Sequence, residues 1–88
     1  LHQNYPNPFN PTTTISFTVT GVEASASRRT SLQIYDITGR LVGTLVDALL
    51  QPGTHSVLWD ASQHTSGVYF YRLESGIFSE TKKLILLK

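Results

Sequence analysis

TTTISFTV, residues 12–19, alternates apolar side chains with hydroxyl-bearing ones at every second position. Successive side chains of a β-strand point to opposite faces, so Ile15, Phe17 and Val19 share one face of an extended chain. The β-branched threonines between and before them also favour extended backbone. The stretch therefore predicts a strand with one face in the core of an all-β domain.

The same alternation continues in the next apolar stretch. Residues 31–36 place Leu32 and Ile34 on one face, and residues 40–46 form the return strand of a hairpin. The Asp-Ile-Thr-Gly sequence between them is typical of a type I turn closed by a glycine, Gly39, in the left-handed region.

A second turn lies in the middle of the chain. Pro52 presets one backbone dihedral and Gly53 supplies a positive φ. The strand that follows ends at Asp60. Three of its residues share one face: His55, Val57 and Trp59.

The last third of the chain predicts two long strands. Residues 68–73, after Gly67, are apolar on both faces over most of their length, which indicates a central strand. A Ser-Gly turn leads into the last strand, residues 77–88. At most one helical turn is expected, at residues 48–51.

Seven short strands at roughly ten-residue spacing indicate a seven-stranded, immunoglobulin-like antiparallel β-sandwich. Residues 12–88 form the sandwich, with a polar connection at residues 21–29. Trp59 is a bulky plug between the sheets, and Tyr69 is a tyrosine corner whose hydroxyl bonds back to the preceding loop. The predicted core comprises Ile15, Phe17, Leu32, Ile34, Val57, Trp59, Tyr69 and Tyr71.

The first eleven residues form a separate lead-in that carries all but one of the four prolines. Each residue before a proline is pushed toward extended backbone, so the segment is kinked rather than helical. Tyr5 and Phe9 are expected to anchor it to the core. The alternative is a flexible linker, but linkers seldom contain two aromatic residues in so short a stretch.

Length and composition exclude several classes of function. Eighty-eight residues allow one domain, and a net charge of +1 is far from the excess of a nucleic-acid binder. The chain has no cysteine, and its longest apolar run is Leu84-Ile85-Leu86-Leu87, far short of a membrane span. With no starting Met, Leu1 is interpreted as a cut inside a longer chain.

No pattern of catalytic or metal-binding residues is present. His64 and Asp60 could form a triad with either Ser62 or Ser66, but all four residues share one loop without an oxyanion hole. A calcium site at Asp60 lacks the six or more oxygens required, so Asp60 is expected to accept N–H bonds in its own turn. No enzyme activity, cofactor or metal is therefore expected.

Carbohydrate binding remains an alternative, because sugar sites use exposed aromatic residues in a planar row. Tyr35, Phe70 and Tyr5 are the candidates. Each also has a structural interpretation, as cross-sheet packing for Tyr35 and Phe70 and as an anchor for Tyr5.

Five blocks in order resemble a known family. They are NYPNPFNP (4–11) with TTI (13–15), IYDxxGRLV (34–42), PGxHxVxWD (52–60), SGVYFYRL (66–73) and KKLILLK (82–88). Over nearly the whole chain they resemble the type A C-terminal sorting domain of the type IX secretion system. The residues of the structural motif are Pro6, Pro8, Phe9, Gly39, Gly53, Trp59, Asp60, Gly67 and Tyr69.

Two details qualify the resemblance. The immunoglobulin-like domain of flagellar hook-capping proteins is similar in the block at 52–60, but the lead-in and the basic-apolar tail separate the two families. Ala61 stands where the pattern often has Gly, which leaves the geometry of that turn open.

The resemblance implies a non-catalytic address tag on an exported protein of a Gram-negative bacterium. The cargo, an N-terminal domain of the same chain, would enter the periplasm by its own signal. The outer-membrane translocation machinery would then recognise the folded tag, and a cell-surface sortase would remove it. The implied location is the cell surface or the medium, and a monomer without nucleic-acid partners is expected. A spacer or sugar-binding module of a secreted enzyme is the alternative.

The tail is the predicted receptor-recognition site. Its residues are Lys82, Lys83, Leu84, Ile85, Leu86, Leu87 and Lys88. Flanking lysines keep an exposed edge strand from pairing indiscriminately, and a receptor could add a strand to that edge. The alternative is that the last strand only completes the sheet. A sorting tag further predicts that Lys88 ends the gene product, whereas a spacer does not.

Overall fold

The alternating stretches of the chain fold into antiparallel β-strands. A computed structural model describes residues 1–20 and 28–88, and these ranges contain six strands and no helix. The strands are β1 (Thr12–Val19), β2 (Arg28–Asp36), β3 (Leu41–Leu50), β4 (Gly53–Asp60), β5 (Gly67–Ser75) and β6 (Phe78–Leu86). The all-β class is confirmed, whereas the seventh strand of an immunoglobulin-like sandwich is not confirmed in the described ranges.

The strands form two sheets. β1 pairs with β4 in a two-stranded sheet, and the other four strands are ordered β3-β2-β5-β6. The central position of β5 is confirmed: its Tyr71 lies opposite Ile34 of β2 on one side and Lys82 of β6 on the other. Its apolar side chains can therefore pack on both neighbours, whereas β3 and β6 are edge strands.

One face of each sheet packs into a shared core. Seven of the eight predicted core residues are buried, and Val57 is only half-buried. The strict alternation of β1 explains the agreement, since its apolar positions are buried and Thr14 and Thr18 are exposed. The buried apolar residues are Phe9, Ile15, Phe17, Val19, Leu32, Ile34, Trp59, Ala61, Tyr69, Tyr71, Leu73, Leu84 and Leu86.

The predicted turn between β2 and β3 is confirmed. Gly39 has a φ of 88° and donates its N–H to the carbonyl of Asp36 at 3.0 Å. The Asp36 carboxylate accepts the hydroxyl of Thr38 at 2.6 Å and the N–H of Arg40 at 3.0 Å. Those hydrogen bonds stabilise the charged form and lower the pKa of Asp36.

Two predicted boundaries were wrong. The return strand was predicted to end at residue 46, but β3 runs to Leu50 and its Ala48 pairs with Thr30 of β2, so the segment 48–51 forms no helical turn. The last strand begins at Phe78 and ends at Leu86.

The predicted polar connection lies mostly outside the described residues, at 21–27. Its end was placed too late: Arg28 and Arg29 belong to β2, where they pair with Leu50 and Leu49. Pairing along that length satisfies backbone groups that a loop would leave to water.

The tyrosine corner and the tryptophan plug are confirmed. Tyr69 donates its hydroxyl to the carbonyl of Thr65 at 2.7 Å. Trp59 is 5% exposed, and its ring lies 5.5 Å from that of Tyr69 and 5.4 Å from that of His64. The loop after β4 is therefore held against the core by aromatic contacts at one end of the sandwich.

The turn after Trp59 also has a defined geometry. Asp60 accepts the N–H of Ser62 at 2.9 Å, as predicted, and bonding to Ser62 lowers the pKa of Asp60. Ala61 is buried and donates its N–H to the carbonyl of Pro11 at 2.8 Å. Alanine in place of glycine is therefore accommodated without a positive φ.

Residues 1–20 and 28–88 contain no helix that is long and apolar enough to cross a membrane.

Candidate recognition surface on the last strand and the lead-in

The lead-in, residues 1–11, first follows the outer edge of β1. His2 donates its N–H to the carbonyl of Ser16 at 2.9 Å. Tyr5 and Thr14 exchange both of their backbone hydrogen bonds, at 3.0 and 2.9 Å. The edge of the two-stranded sheet is thereby covered.

The lead-in then crosses to the other sheet and covers the outer edge of β6. Phe9 donates its N–H to the carbonyl of Ile85 and accepts the N–H of Leu87, both at 3.0 Å, in a parallel bridge. The side-chain oxygen of Asn7 accepts the N–H of Ile85 at 3.0 Å, and Gln3 bonds the carbonyl of Lys83 at 2.9 Å. One segment therefore joins the edges of both sheets and closes that side of the sandwich.

The two aromatic residues of the lead-in act differently. Phe9 is 2% exposed, and its ring lies 5.7 Å from that of Trp59, so its predicted anchoring role is confirmed. The ring of Tyr5 is 81% exposed, so the predicted anchoring by this side chain is wrong. Tyr5 holds the lead-in through its backbone pairing with Thr14, which leaves the ring in solvent.

A buried polar network holds the first turn of the lead-in. Asn4 is 2% exposed and donates its backbone N–H to the hydroxyl of Tyr71 at 2.9 Å. That hydroxyl donates in turn to the carbonyl of His2 at 2.8 Å. The side chain of Asn4 donates to Thr13 at 2.9 Å and to the carbonyl of Pro6 at 3.1 Å. The buried role of Asn4 is not evident from the sequence, because asparagine in a proline-rich segment is the ordinary signal of a turn.

The predicted recognition residues divide between the core and the surface. Leu84 and Leu86 are fully buried, so half of the apolar tail is not accessible on the folded domain. Between and after them, Ile85 is half-buried and Leu87 is 56% exposed. This division follows from strand alternation: Leu84 lies opposite the core residue Tyr69 of β5.

The three lysines have different surroundings. Lys82 is half-buried, and its amine lies 3.7 Å from the Glu80 carboxylate. Lys88 donates its side-chain amine to the carbonyl of Ser62 at 2.7 Å. Lys83 is exposed, lies opposite Phe70, and forms no ion pair with any residue in the described ranges. Lys83 is therefore the cation of β6 that is most available to a partner.

We define the last-strand surface as the accessible residues of the tail other than Lys82: Lys83, Ile85, Leu87 and Lys88. Its side chains reach solvent, but the backbone edge at Ile85 and Leu87 is bonded to the lead-in. The edge that was expected to be exposed is therefore covered by the lead-in in the folded domain, and recognition of these residues by a receptor stays a prediction.

The residues of the imagined triad do not assemble into a catalytic arrangement. The Asp60 carboxylate bonds Ser62, and the ring of His64 packs against Trp59 and Tyr69 instead. Within residues 1–20 and 28–88, no group of three or more His, Cys, Asp or Glu residues could hold a metal ion.

The sugar-binding candidates are only partly brought together. Tyr35 and Phe70 are partners across β2 and β5 and line a shallow groove of about 320 Å³ on the outer face of the sheet. Tyr5 lies along the edge of the other sheet, and the hydroxyl of Tyr35 bonds Gln33 at 2.8 Å. A planar row of three aromatic rings is thus not formed.

The geometry defines a small all-β domain in which the first segment and the last strand are joined. The family model for the secretion system C-terminal sorting domain matches residues 3–87, so both of these elements fall inside the match. The chain belongs to this family, the C-terminal sorting domains of type IX secretion. It is a family of sorting signals and not of enzymes. No curated protein and no solved structure matches the chain.

Proposed function

We propose that this domain directs a larger cargo protein across the outer membrane of a Gram-negative bacterium by type IX secretion. The cargo is an N-terminal domain of the same chain, which reaches the periplasm by a signal of its own. The translocation machinery binds the folded, monomeric domain, and a cell-surface sortase then releases it and attaches the cargo to the surface. The domain itself carries out no catalysis.

The observation that carries this proposal is the family match from the lead-in to the last strand. A sorting signal must be recognised on its folded surface, and the last-strand surface presents a cation, Lys83, that forms no ion pair with any of the described residues, beside two apolar side chains. Lys83 lies next to Ile85 and Leu87 in this arrangement, with Lys88 at its end. Exposed cations steer an acidic partner, and adjacent apolar side chains provide buried contact area.

The machinery would contact the side chains of the last-strand surface directly: Lys83, Ile85, Leu87 and Lys88. Lys82 contributes less, because Glu80 already compensates its charge. Leu84 and Leu86 would act indirectly, by holding the strand in the core.

A fusion experiment tests the proposal. A periplasmic signal, a fluorescent reporter and residues 1–88 are joined in that order and expressed in a host that has the type IX machinery. The reporter is expected at the cell surface or in the medium. A matched fusion without residues 1–88 should stay in the periplasm. A fusion that is folded and intact but remains in the periplasm with the domain attached would contradict the proposal.

A further inference from the structure

The lead-in occupies a position on β6 that a separate strand could occupy. Along the outer edge of β6, the N–H and carbonyl of Ile85 and the N–H of Leu87 all bond residues 7–9. Phe9 places its ring against Trp59 at the same point. We call this position the strand seat: the outer backbone edge at residues 83–87 together with the cavity filled by Phe9.

The backbone groups and the cavity of the strand seat determine which kind of segment can bind there. The lead-in offers a hydrogen-bond acceptor at Asn7, and two residues later it offers a backbone N–H and carbonyl together with a large apolar side chain at Phe9. A segment that runs parallel to β6 with this spacing would make the same contacts.

The lead-in uses the seat incompletely. In a parallel ladder with this register residues 7, 9 and 11 would face β6, and Pro11 has no N–H to donate, so the ladder cannot continue past Phe9. The carbonyl of Lys83 is bonded by a side chain, that of Gln3, rather than by backbone. An extended segment without proline at the positions that face β6 could make a longer backbone ladder on the same edge, and this difference favours exchange.

We propose that the lead-in is a displaceable cover for the strand seat, and that an extended segment of the secretion machinery replaces it. The incoming segment has no proline at the positions that face β6, runs along residues 83–87 and inserts a large apolar side chain where Phe9 lies. This inference rests on the proposed function. It adds the backbone edge of β6 to the surface that the secretion machinery binds.

A disulfide staple tests the displacement. Tyr5 and Thr14 are an antiparallel pair that exchange both backbone hydrogen bonds, a geometry with Cα atoms about 5.5 Å apart and within the range of a disulfide. Both side chains are exposed, and the chain has no other cysteine. The variant Tyr5→Cys/Thr14→Cys therefore fastens the lead-in to β1 and restrains residues 6–11 at both ends.

A matched control staple leaves the lead-in untouched. Ser16 and Ser56 are partners across β1 and β4, with hydroxyl oxygens 2.9 Å apart on the exposed face. The variant Ser16→Cys/Ser56→Cys joins two strands of the sandwich and closes a longer loop than the first staple, so it constrains unfolding at least as strongly. The variant Tyr5→Ser/Thr14→Ser controls for the substitutions without a bond.

Export of the reporter fusion is measured for the parent and the three variants, with disulfide formation checked on non-reducing gels. We expect export of the Tyr5–Thr14 staple to fall at least about tenfold, the effect of about 1.4 kcal/mol. The control staple and the serine variant should be exported like the parent. Equal export of both staples, or equal retention of both, would overturn the displacement. Retention of the parent itself would overturn the proposed function, and this inference with it.

Discussion

Phe9 donates its backbone N–H to the carbonyl of Ile85 at 3.0 Å, and this bond joins the first segment of the chain to the last strand. The family match begins at residue 3 and ends at residue 87, so the two elements that this bond connects are its two ends. The lead-in is therefore part of the folded unit rather than a tether in front of it. Substitutions of the buried residues at either end, such as Phe9 and Leu84, should therefore lower the stability of the whole domain.

The first prediction concerns the anchoring of the lead-in. Phe9→Ala should lower the free energy of unfolding by about 3–5 kcal/mol, because a fully buried ring leaves a cavity beside Trp59. Tyr5→Ala is the control within the same segment and should change stability by less than about 0.5 kcal/mol, since its ring is exposed. Urea denaturation measures both, and equal effects of the two substitutions would contradict the packing described.

The second prediction concerns the hydroxyl of Tyr71. Tyr71→Phe should cost about 1–3 kcal/mol, because the buried N–H of Asn4 loses its acceptor. The variant keeps the ring and its packing, so the loss isolates the hydrogen bonds to Asn4 and His2. A variant as stable as the parent at neutral pH would show that water satisfies Asn4.

Tyr71 also predicts a dependence on alkaline pH. Burial raises its pKa above the ordinary value of 10.0, and the hydrogen bond from Asn4 offsets only part of this effect. The folded state thus favours the protonated phenol, so this stabilisation is full below pH 10.0 and is lost as pH rises through the folded pKa. The stability difference between the parent and Tyr71→Phe should therefore shrink between about pH 8 and about pH 11. A difference that stays constant would contradict the raised pKa.

The third prediction concerns the core at Trp59. Trp59→Ala should cost about 3–5 kcal/mol, which is a large fraction of the stability of so small a domain. Leu58→Ala is the matched control. Leu58 is the residue before Trp59, and its side chain is 64% exposed on the opposite face of β4. A near-normal melting temperature for Trp59→Ala would show that this ring does not support the core.

The features predicted correctly from the sequence depend on local patterns. Alternation over residues 12–19 is enough to assign the buried face of β1, because period-2 patterning needs no knowledge of distant residues. Asp36 and Gly39 similarly specify their turn within four residues. Trp59 is large enough that few positions other than a core would accept it.

The path of the lead-in could not be predicted in this way. Its hydrogen bonds reach Ser16 on one sheet and Lys83 to Leu87 on the other, and no local pattern encodes those partners. The edge of β6 that was expected to be exposed is covered by the lead-in for this reason. Likewise, Ala48 adopts strand geometry because pairing with Thr30 overrides its weak β propensity.

The fourth prediction concerns acid stability. Hydrogen bonds from Thr38 and Arg40 lower the pKa of Asp36, and hydrogen bonds from Ser62 lower that of Asp60. A lowered folded pKa contributes stability that is present above the unfolded value near 3.8 and lost as pH falls through the folded pKa. The double variant Asp36→Asn/Asp60→Asn should therefore lose less stability than the parent between about pH 7 and about pH 3. Identical acid profiles in urea denaturation would contradict this assignment.

The fifth prediction concerns the last-strand surface, and its measurement tests the central claim most directly. Export of the reporter fusion is compared between Lys83→Gln/Lys88→Gln and the charge-matched control Arg29→Gln/Arg40→Gln. Arg29 and Arg40 are also exposed, but they pair with Asp47 and Asp36 away from the tail. Exposed charges contribute little to stability, so both variants should fold. Export should fall at least about tenfold for the lysine variant and stay at the parent level for the arginine variant. Equal export of the two folded variants would contradict recognition through the last strand.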